Sequence, residues 1–410
     1  MYQVEIEKQF DKLNKKNKFY RHLVFNYLKN MKNCFIKLNE SNQDFYVFGD
    51  PESKNVVEIE VFNPLCYRQV ILHGSIGAGE SFINGHWNTK NLTNFIKVMI
   101  KNEDVIDLID SKLNFIFKIK SKLEHYFNKN SVVQAKKNIS RHYDIGNDLY
   151  KLFLDERMQY SSGYFGSDFK ISLNEAQVNK LDLIAKTLNV SSCDHVLEIG
   201  TGWGGLSIYL ASEYGCQVTT TTISKEQYNY TQSLIQKLGL QNKINLLLKD
   251  YRELEGTFDK IVSVEMIEAV GKKYIPKFFN KCNELLDNNG LILIQSILMK
   301  DQRHKAYSNQ VDFIQKYIFP GGYLPSISAF LKESTNHSNL VLKNYMDLGQ
   351  DYAKTLEIWH EKFNQNKDAI LMQGYDEKFI KTFQFYFSYC QGGFEEKSIS
   401  VAQILLEKNI

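Results

Sequence analysis

A chain of 410 residues with 43% hydrophobic and 13% aromatic side chains carries enough apolar surface for two or more packed domains, which excludes a disordered protein. Its six cysteines (Cys34, Cys66, Cys193, Cys216, Cys282 and Cys390) form no C-x-x-C pair, so they argue against zinc-ribbon or dithiol chemistry and for reduced thiols in a cytoplasmic protein. Net charge is only +3, and neither a signal-like leader nor an apolar run of the roughly 20 residues needed to span a bilayer is found, so the expectation is a soluble or peripheral protein.

In chain order, residues 1 to about 45 read as basic helix. Residues 46–76 carry short β-like runs, such as Val56 to Val61, with a turn at Gly49-Asp50-Pro51. Residues 77–130 read mostly as helix, with Leu113, Phe117, Leu123 and Phe127 near helical spacing, and a linker is expected at 129–133. Charge is uneven along this half. Lysines and Arg21 crowd Lys8 to Lys37 against Asp11 alone, and a second basic run covers Lys112 to Arg141 against Glu124 alone. Interleaved with aromatics, such runs suit an anionic membrane surface, although a solvated lysine-rich face gives the same pattern. No nucleic-acid-binding module accompanies them.

From residue 174 to 297, helix-like and strand-like runs alternate. Helices are expected at Ala176–Leu188, Lys225–Leu238 and Lys272–Leu286. Strands are expected at His195–Ile199, Gln217–Thr221, Ile244–Leu248, Phe258–Val264 and Leu291–Ile297. This alternation predicts an α/β fold with a mostly parallel, doubly wound sheet, whose ligands bind beyond the carboxyl ends of the strands. Gly200, Gly202, Thr222, Asp250, Glu268 and Gln295 all fall at or just after such ends.

The run Glu198-Ile-Gly-Thr-Gly-Trp-Gly-Gly205 sits between a strand and a helix. Read literally it matches G-x-G-x-x-G, but the ribose-binding acid expected about 20 positions later is replaced by Thr219 to Thr222. The acid precedes the glycines, at Glu198. Glu-x-Gly-x-Gly-x-Gly resembles the S-adenosylmethionine turn of Rossmann-like methyltransferases.

Further segments resemble one family, the cyclopropane-fatty-acyl-phospholipid synthases and related S-adenosylmethionine-dependent lipid C-methyltransferases. They are Arg141 to Asp148, Met158 to Phe165, Thr222 to Gln227, Asp250-Tyr251-Arg252, Val264 to Gly271, Lys316 to Gly322 and Tyr386 to Cys390. Gly79 to Trp87 is similar to the accessory domain of the longer bacterial synthases. The resemblance implies an accessory α+β domain over 1–130 and a catalytic domain over 131–410 with helical cover at 131–173 and 300–410.

It also implies site residues. Tyr160 and Ser161 close over the methionine part of the donor and Gly200 and Gly202 line it. Thr222 and Gln227 meet the ribose, and Asp250 and Tyr251 complete the cofactor set with Tyr251 beside the adenine. A bicarbonate ion is the family's expected base, and its pocket maps to Glu268, Ile297 and Tyr352. Ser162 stands where a cysteine is expected and Gln295 where a histidine is expected, so the base is bicarbonate held differently or Glu268 itself. Aromatics after residue 300 are expected to line an acyl tunnel.

The implied partners are an unsaturated phospholipid in a membrane and, through the accessory domain, a second copy of the chain. The implied product is a cyclopropane fatty acid. A methylene- or methyl-branched chain and a methylated small amine are the alternatives. No metal is expected.

Overall fold

The computed structural model describes residues 15–41, 44–104 and 146–409. The second basic run, the linker and all but the end of the Arg141 to Asp148 motif lie outside these residues, as do Lys8 and Lys12 of the first run.

The chain divides into two units. One gathers the described part of residues 1–125 with 309–318 and 367–398. It holds a four-stranded sheet of β1 (Phe35–Glu40), β2 (Phe45–Gly49), β3 (Val56–Val61) and β4 (Trp87–Thr89), in the order β2-β1-β3-β4. The expectation of helix through residue 45 fails at β1. There Ile36, Leu38 and Glu40 alternate inward, a period of two that only a strand can bury on one face. The helix that precedes it stops at Asn30.

The expectation of β-like runs to residue 76 fails in the other direction, since a helix spans Leu65–Ile83. It is broken at Gly74, whose φ of 54° and ψ of −131° are open to glycine and costly for other residues. Part of the first basic run is structural. Arg21 donates to Glu40 through Nε at 2.7 Å and Nη2 at 2.9 Å, and Glu40 also accepts from the Tyr67 hydroxyl. Buried in this unit are Phe313, Phe383, Phe385, Tyr386 and Phe387. Phe313 and Phe385 meet at a tilt, ring centroids 4.5 Å apart, against Gly79, where a Cβ would meet the Phe313 ring at 2.6 Å. These aromatics are part of the unit's buried interior, with Ile36, Leu38, Val57 and Ile71.

The other unit holds residues 126–308, 319–366 and 399–410 where described. Its sheet comprises β5 (His195–Ile199), β6 (Gln217–Thr221), β7 (Ile244–Leu247), β8 (Phe258–Val264), β9 (Leu286–Met299), β10 (Leu340–Asp347) and β11 (Ile399–Lys408). The order is β10-β11-β9-β8-β5-β6-β7. β5 to β9 run parallel to one another, as the alternation predicts. β10 and β11 are antiparallel additions at one edge, supplied by a stretch read from sequence as helical cover.

Val196, Leu197, Ile261, Val262, Ile292, Leu293 and Ile294 are fully buried, as strands covered on both faces require. Ser172 and Glu175 form a capping box that starts the helix Leu173–Thr187, satisfying two of its orphan amides. The helix Ile275–Leu285 ends where expected, and β9 begins at once at Leu286 and includes Asp287 to Gly290.

Candidate active site

The parallel strands deliver both halves of the site to one end of the sheet. After β5 the chain turns through Gly200 (φ 105°), Gly202 (φ 53°) and Gly204 (φ 86°). The amides of Gly200 and Thr201 donate to the Thr221 carbonyl at 3.1 and 2.9 Å, which braces the turn on the end of β6. A Cβ on Gly202 would meet nothing within 4 Å. The turn therefore borders open space that only a side chain or a ligand would fill, and the glycines let the backbone face it directly.

Past β6, the Thr222 hydroxyl donates to the Gln227 side-chain carbonyl at 2.9 Å, which leaves the Gln227 amide NH2 to donate elsewhere. Past β7, Asp250 holds Arg252 in a fork at 2.7 and 2.6 Å, so much of its accepting capacity is already used. Tyr251 is buried against Phe278, and its hydroxyl has no partner among the described residues. These groups fit an adenosyl donor: open backbone at the turn, a neutral amide donor after the second strand, and an aromatic with a spare hydroxyl after the third.

Glu198, the acid that precedes the glycines, lies inside the sheet and not on its surface. It is buried and accepts from Thr220 Oγ1 at 2.5 Å. Burial pushes its carboxyl up to about 8, against the pull of Thr220, Ser207 and Lys180.

The other half is acidic and aromatic. Ser161 and Ser162 are buried and Tyr160 is half-buried. The Tyr160 ring stacks on Trp359 at 5.3 Å, and Tyr150 and Phe319 lie 5.2 and 6.4 Å from it. Tyr352 meets the same Trp359 edge-on at 6.0 Å. Of the late aromatics expected to line a tunnel, Phe319 reaches this group.

Glu268, in the short helix Ile267–Val270, sends Oε1 to the Ile297 amide at 2.5 Å and the Ser296 hydroxyl at 3.1 Å. Its Oε2 is buried with no partner among the described residues. Desolvation, then the neighbouring Glu265, raise the Glu268 carboxyl to about 8.

Glu265 received no role from the sequence. It sits at the tip of β8 with φ 49°, a left-handed conformation that costs a non-glycine residue about 1 kcal/mol and marks functional sites. Its Oε1 accepts from the Ser162 amide at 2.9 Å and from Gln295 Nε2 at 2.8 Å. Tyr352 donates to the same carboxylate. Gln295 is oriented in turn by Gln403, whose Nε2 donates to the Gln295 carbonyl oxygen at 3.1 Å. Burial raises the Glu265 carboxyl, opposed by these hydrogen bonds and by Lys180.

Lys180 was also missed. It is fully buried, donating to Gln159 Oε1 at 2.8 Å and Ser161 Oγ at 2.7 Å. Burial depresses its ammonium to about 8, opposed by Glu265, Asp155 and Glu198. The signals were present: two glutamates three residues apart after a strand, and a lysine on the apolar face of a helix.

The predicted catalytic set is thus brought together. Ser162, Gln295 and Tyr352 converge on Glu265, while Ile297 holds Glu268. This arrangement does not fit bicarbonate. The donors assigned to that anion already serve the chain's own carboxyl groups. Among the described residues no group of His, Cys, Asp and Glu side chains could hold a metal ion.

A glycine turn beside a sheet of this order, with the donor set at its strand tips, defines an S-adenosylmethionine-dependent methyltransferase. The chain matches the family model described as mycolic acid cyclopropane synthetase over residues 130–404, and it belongs to that family of S-adenosylmethionine-dependent lipid methyltransferases. It is 36% identical over 342 residues to the tuberculostearic acid methyltransferase UfaA1 of Mycobacterium tuberculosis, covering 82% of this chain and 79% of that one. It is 34% identical over 355 residues to the cyclopropane-fatty-acyl-phospholipid synthase of Escherichia coli K12, covering 86% and 88%. The crystal structure of the mycolic acid cyclopropane synthase CmaA1 complexed with SAH and CTAB is similar at 28% identity and a TM-score of 0.63, over 67% of this chain and 98% of that one.

Proposed function

We propose that the enzyme adds the methyl carbon of S-adenosylmethionine to the cis double bond of an unsaturated phospholipid acyl chain and closes it to a cyclopropane. One observation carries the reading: two carboxylates, Glu265 and Glu268, stand with aromatic faces beside a neutral donor cradle at the strand tips. An alkene is a weak nucleophile with no hydrogen-bonding handle. Its electron pair forms the new carbon–carbon bond as the donor's S–CH3 bond breaks, leaving a carbocation on the adjacent carbon. Negative charge and π faces stabilise that cation, and an apolar wall keeps water from trapping it. Loss of a proton from the added methyl closes the ring.

The similarity to the E. coli phospholipid synthase supports a lipid held in a membrane, approached peripherally. No helix among the described residues is long and apolar enough to cross a bilayer. Exposed Phe19, Phe45 and Val47 in the first unit, with its lysines, support docking on an anionic surface. Pairing of two chains through that unit is part of the same reading.

A second product is favoured by one observation, the similarity to the tuberculostearic acid methyltransferase: a methylene branch at the same double bond, later reduced to a methyl. Expression in a host that makes no modified fatty acids, fed deuterated methionine, tests both. A saturated product carrying two deuterons on a ring carbon supports cyclopropane. An isomer of equal mass that ozone cleaves supports the methylene branch. Unmodified lipids with turnover of free amines would overturn lipid methylation.

A further inference from the structure

We propose that the Glu265 carboxylate is the enzyme's built-in base: it occupies the anion site formed by Ser162, Gln295 and Tyr352, so turnover needs no bicarbonate. The inference rests on the function proposed above for its chemical step, and on the structure for its occupancy.

The geometry is specific. The Ser162 amide at 2.9 Å, Gln295 Nε2 at 2.8 Å and the Tyr352 hydroxyl all donate to one carboxylate. None of the three needs charge to do so, and a neutral glutamine suffices where a titrating histidine is expected. The backbone of Glu265 is bound to the same neighbour, its amide donating to the Gln295 carbonyl at 2.8 Å. That contact holds the residue at φ 49°, a conformation for which glycine is the ordinary choice. An acid placed there, at the tip of a central strand, brings its own anion into the cage.

Lys180, buried with Glu265, Glu198 and Asp155 around it, provides the compensating positive charge. Glu268 is separately anchored on Ile297 and Ser296. The two glutamates therefore divide the work. Glu268 faces the cation with its unpartnered oxygen, and Glu265 accepts the proton. In that step the C–H bond of the added methyl breaks, its electron pair forms the second ring bond, and the proton passes to the Glu265 carboxylate and then to solvent.

The test uses the full-length enzyme in carbon-dioxide-depleted buffer with unsaturated phospholipid vesicles. Wild type is expected to turn over equally with and without added bicarbonate. Glu265→Gln is expected to lose about 100-fold or more in kcat, the scale of a lost general base, while its affinity for S-adenosylmethionine stays unchanged. Glu265→Gly empties the cage and suits the left-handed backbone; its residual activity is expected to rise with added bicarbonate or formate. Carbon-13 bicarbonate NMR gives a readout independent of turnover, with binding to Glu265→Gly and none to wild type. Bicarbonate-dependent turnover of wild type, retention of more than half the activity by Glu265→Gln, or bicarbonate binding to wild type as tight as to Glu265→Gly would each overturn the proposal. If wild type methylates no lipid, the functional reading fails, and the NMR comparison still decides who occupies the cage.

Discussion

The glycine turn and the glutamate pair sit at the ends of adjacent strands, β5 and β8, yet they solve opposite problems. The turn removes side chains. Its residues present backbone, a threonine and a glutamine to an organic cation that needs shape and neutral hydrogen bonds. The glutamate pair concentrates charge, setting two half-buried carboxylates in reach of a fully buried lysine. The first is cheap in free energy and readable as a motif. The second costs desolvation, which shows in the raised carboxyls of Glu265 and Glu268 and the depressed Lys180, and it persists because every partner is supplied from another element.

Mutations should separate the two regions. The largest effect is expected on the turn. Gly202→Val places a branched side chain at φ 53° in the space a ligand would use. S-adenosylmethionine binding, measured by calorimetry, should fall by about 100-fold or more, with about 1–3 kcal/mol of stability lost to backbone strain.

Next is Glu268→Gln, which should lower kcat by roughly 100-fold with donor affinity retained. It should also stabilise the fold at alkaline pH. The Glu268 carboxyl is raised from its ordinary 4.5 to about 8, so its favourable contribution is complete below pH 4.5 and is lost as pH rises through 8. Thermal melts of wild type should fall across that window more steeply than those of the variant. Equal slopes would show that Glu268 is not buried as described.

Lys180→Met should act through Glu265. Without the ammonium, the carboxyl rises further, and the rising limb of the pH–rate profile moves to higher pH, with roughly tenfold loss at neutral pH. An unmoved profile would remove Lys180 from the catalytic electrostatics. The smallest effect is expected for Gln227→Ala, which deletes one neutral hydrogen bond to the donor. Its KM for S-adenosylmethionine should rise roughly three- to tenfold with kcat unchanged, the scale of about 1 kcal/mol.

Much of the catalytic unit was legible before any coordinates. β5 and β8 carry short apolar runs and β6 a β-branched one, Val218 to Thr221, so all three fall where expected. Gly200 and Gly202 announced the cradle because positive φ is open to glycine at no steric cost and costly for side-chain-bearing residues. Less was legible in the first unit. β1 alternates too briefly to outweigh the lysines around it, and the helix Leu65–Ile83 is interrupted by Gly74.

By itself the sequence determined the family, the donor and the reaction class, because these depend on local spacing: a strand, a glycine turn, a helix and short motifs in fixed order. Only the tertiary structure decided what surrounds the acids. Glu198 and Glu265 are alike on the page, yet one is locked under Thr220 as structure and the other is caged by Ser162, Gln295 and Tyr352. The physical reason is that a carboxylate's role is set by which donors and which charge surround it. Here those come from residues 103, 30 and 85 or more positions apart in the chain, where no local pattern reaches.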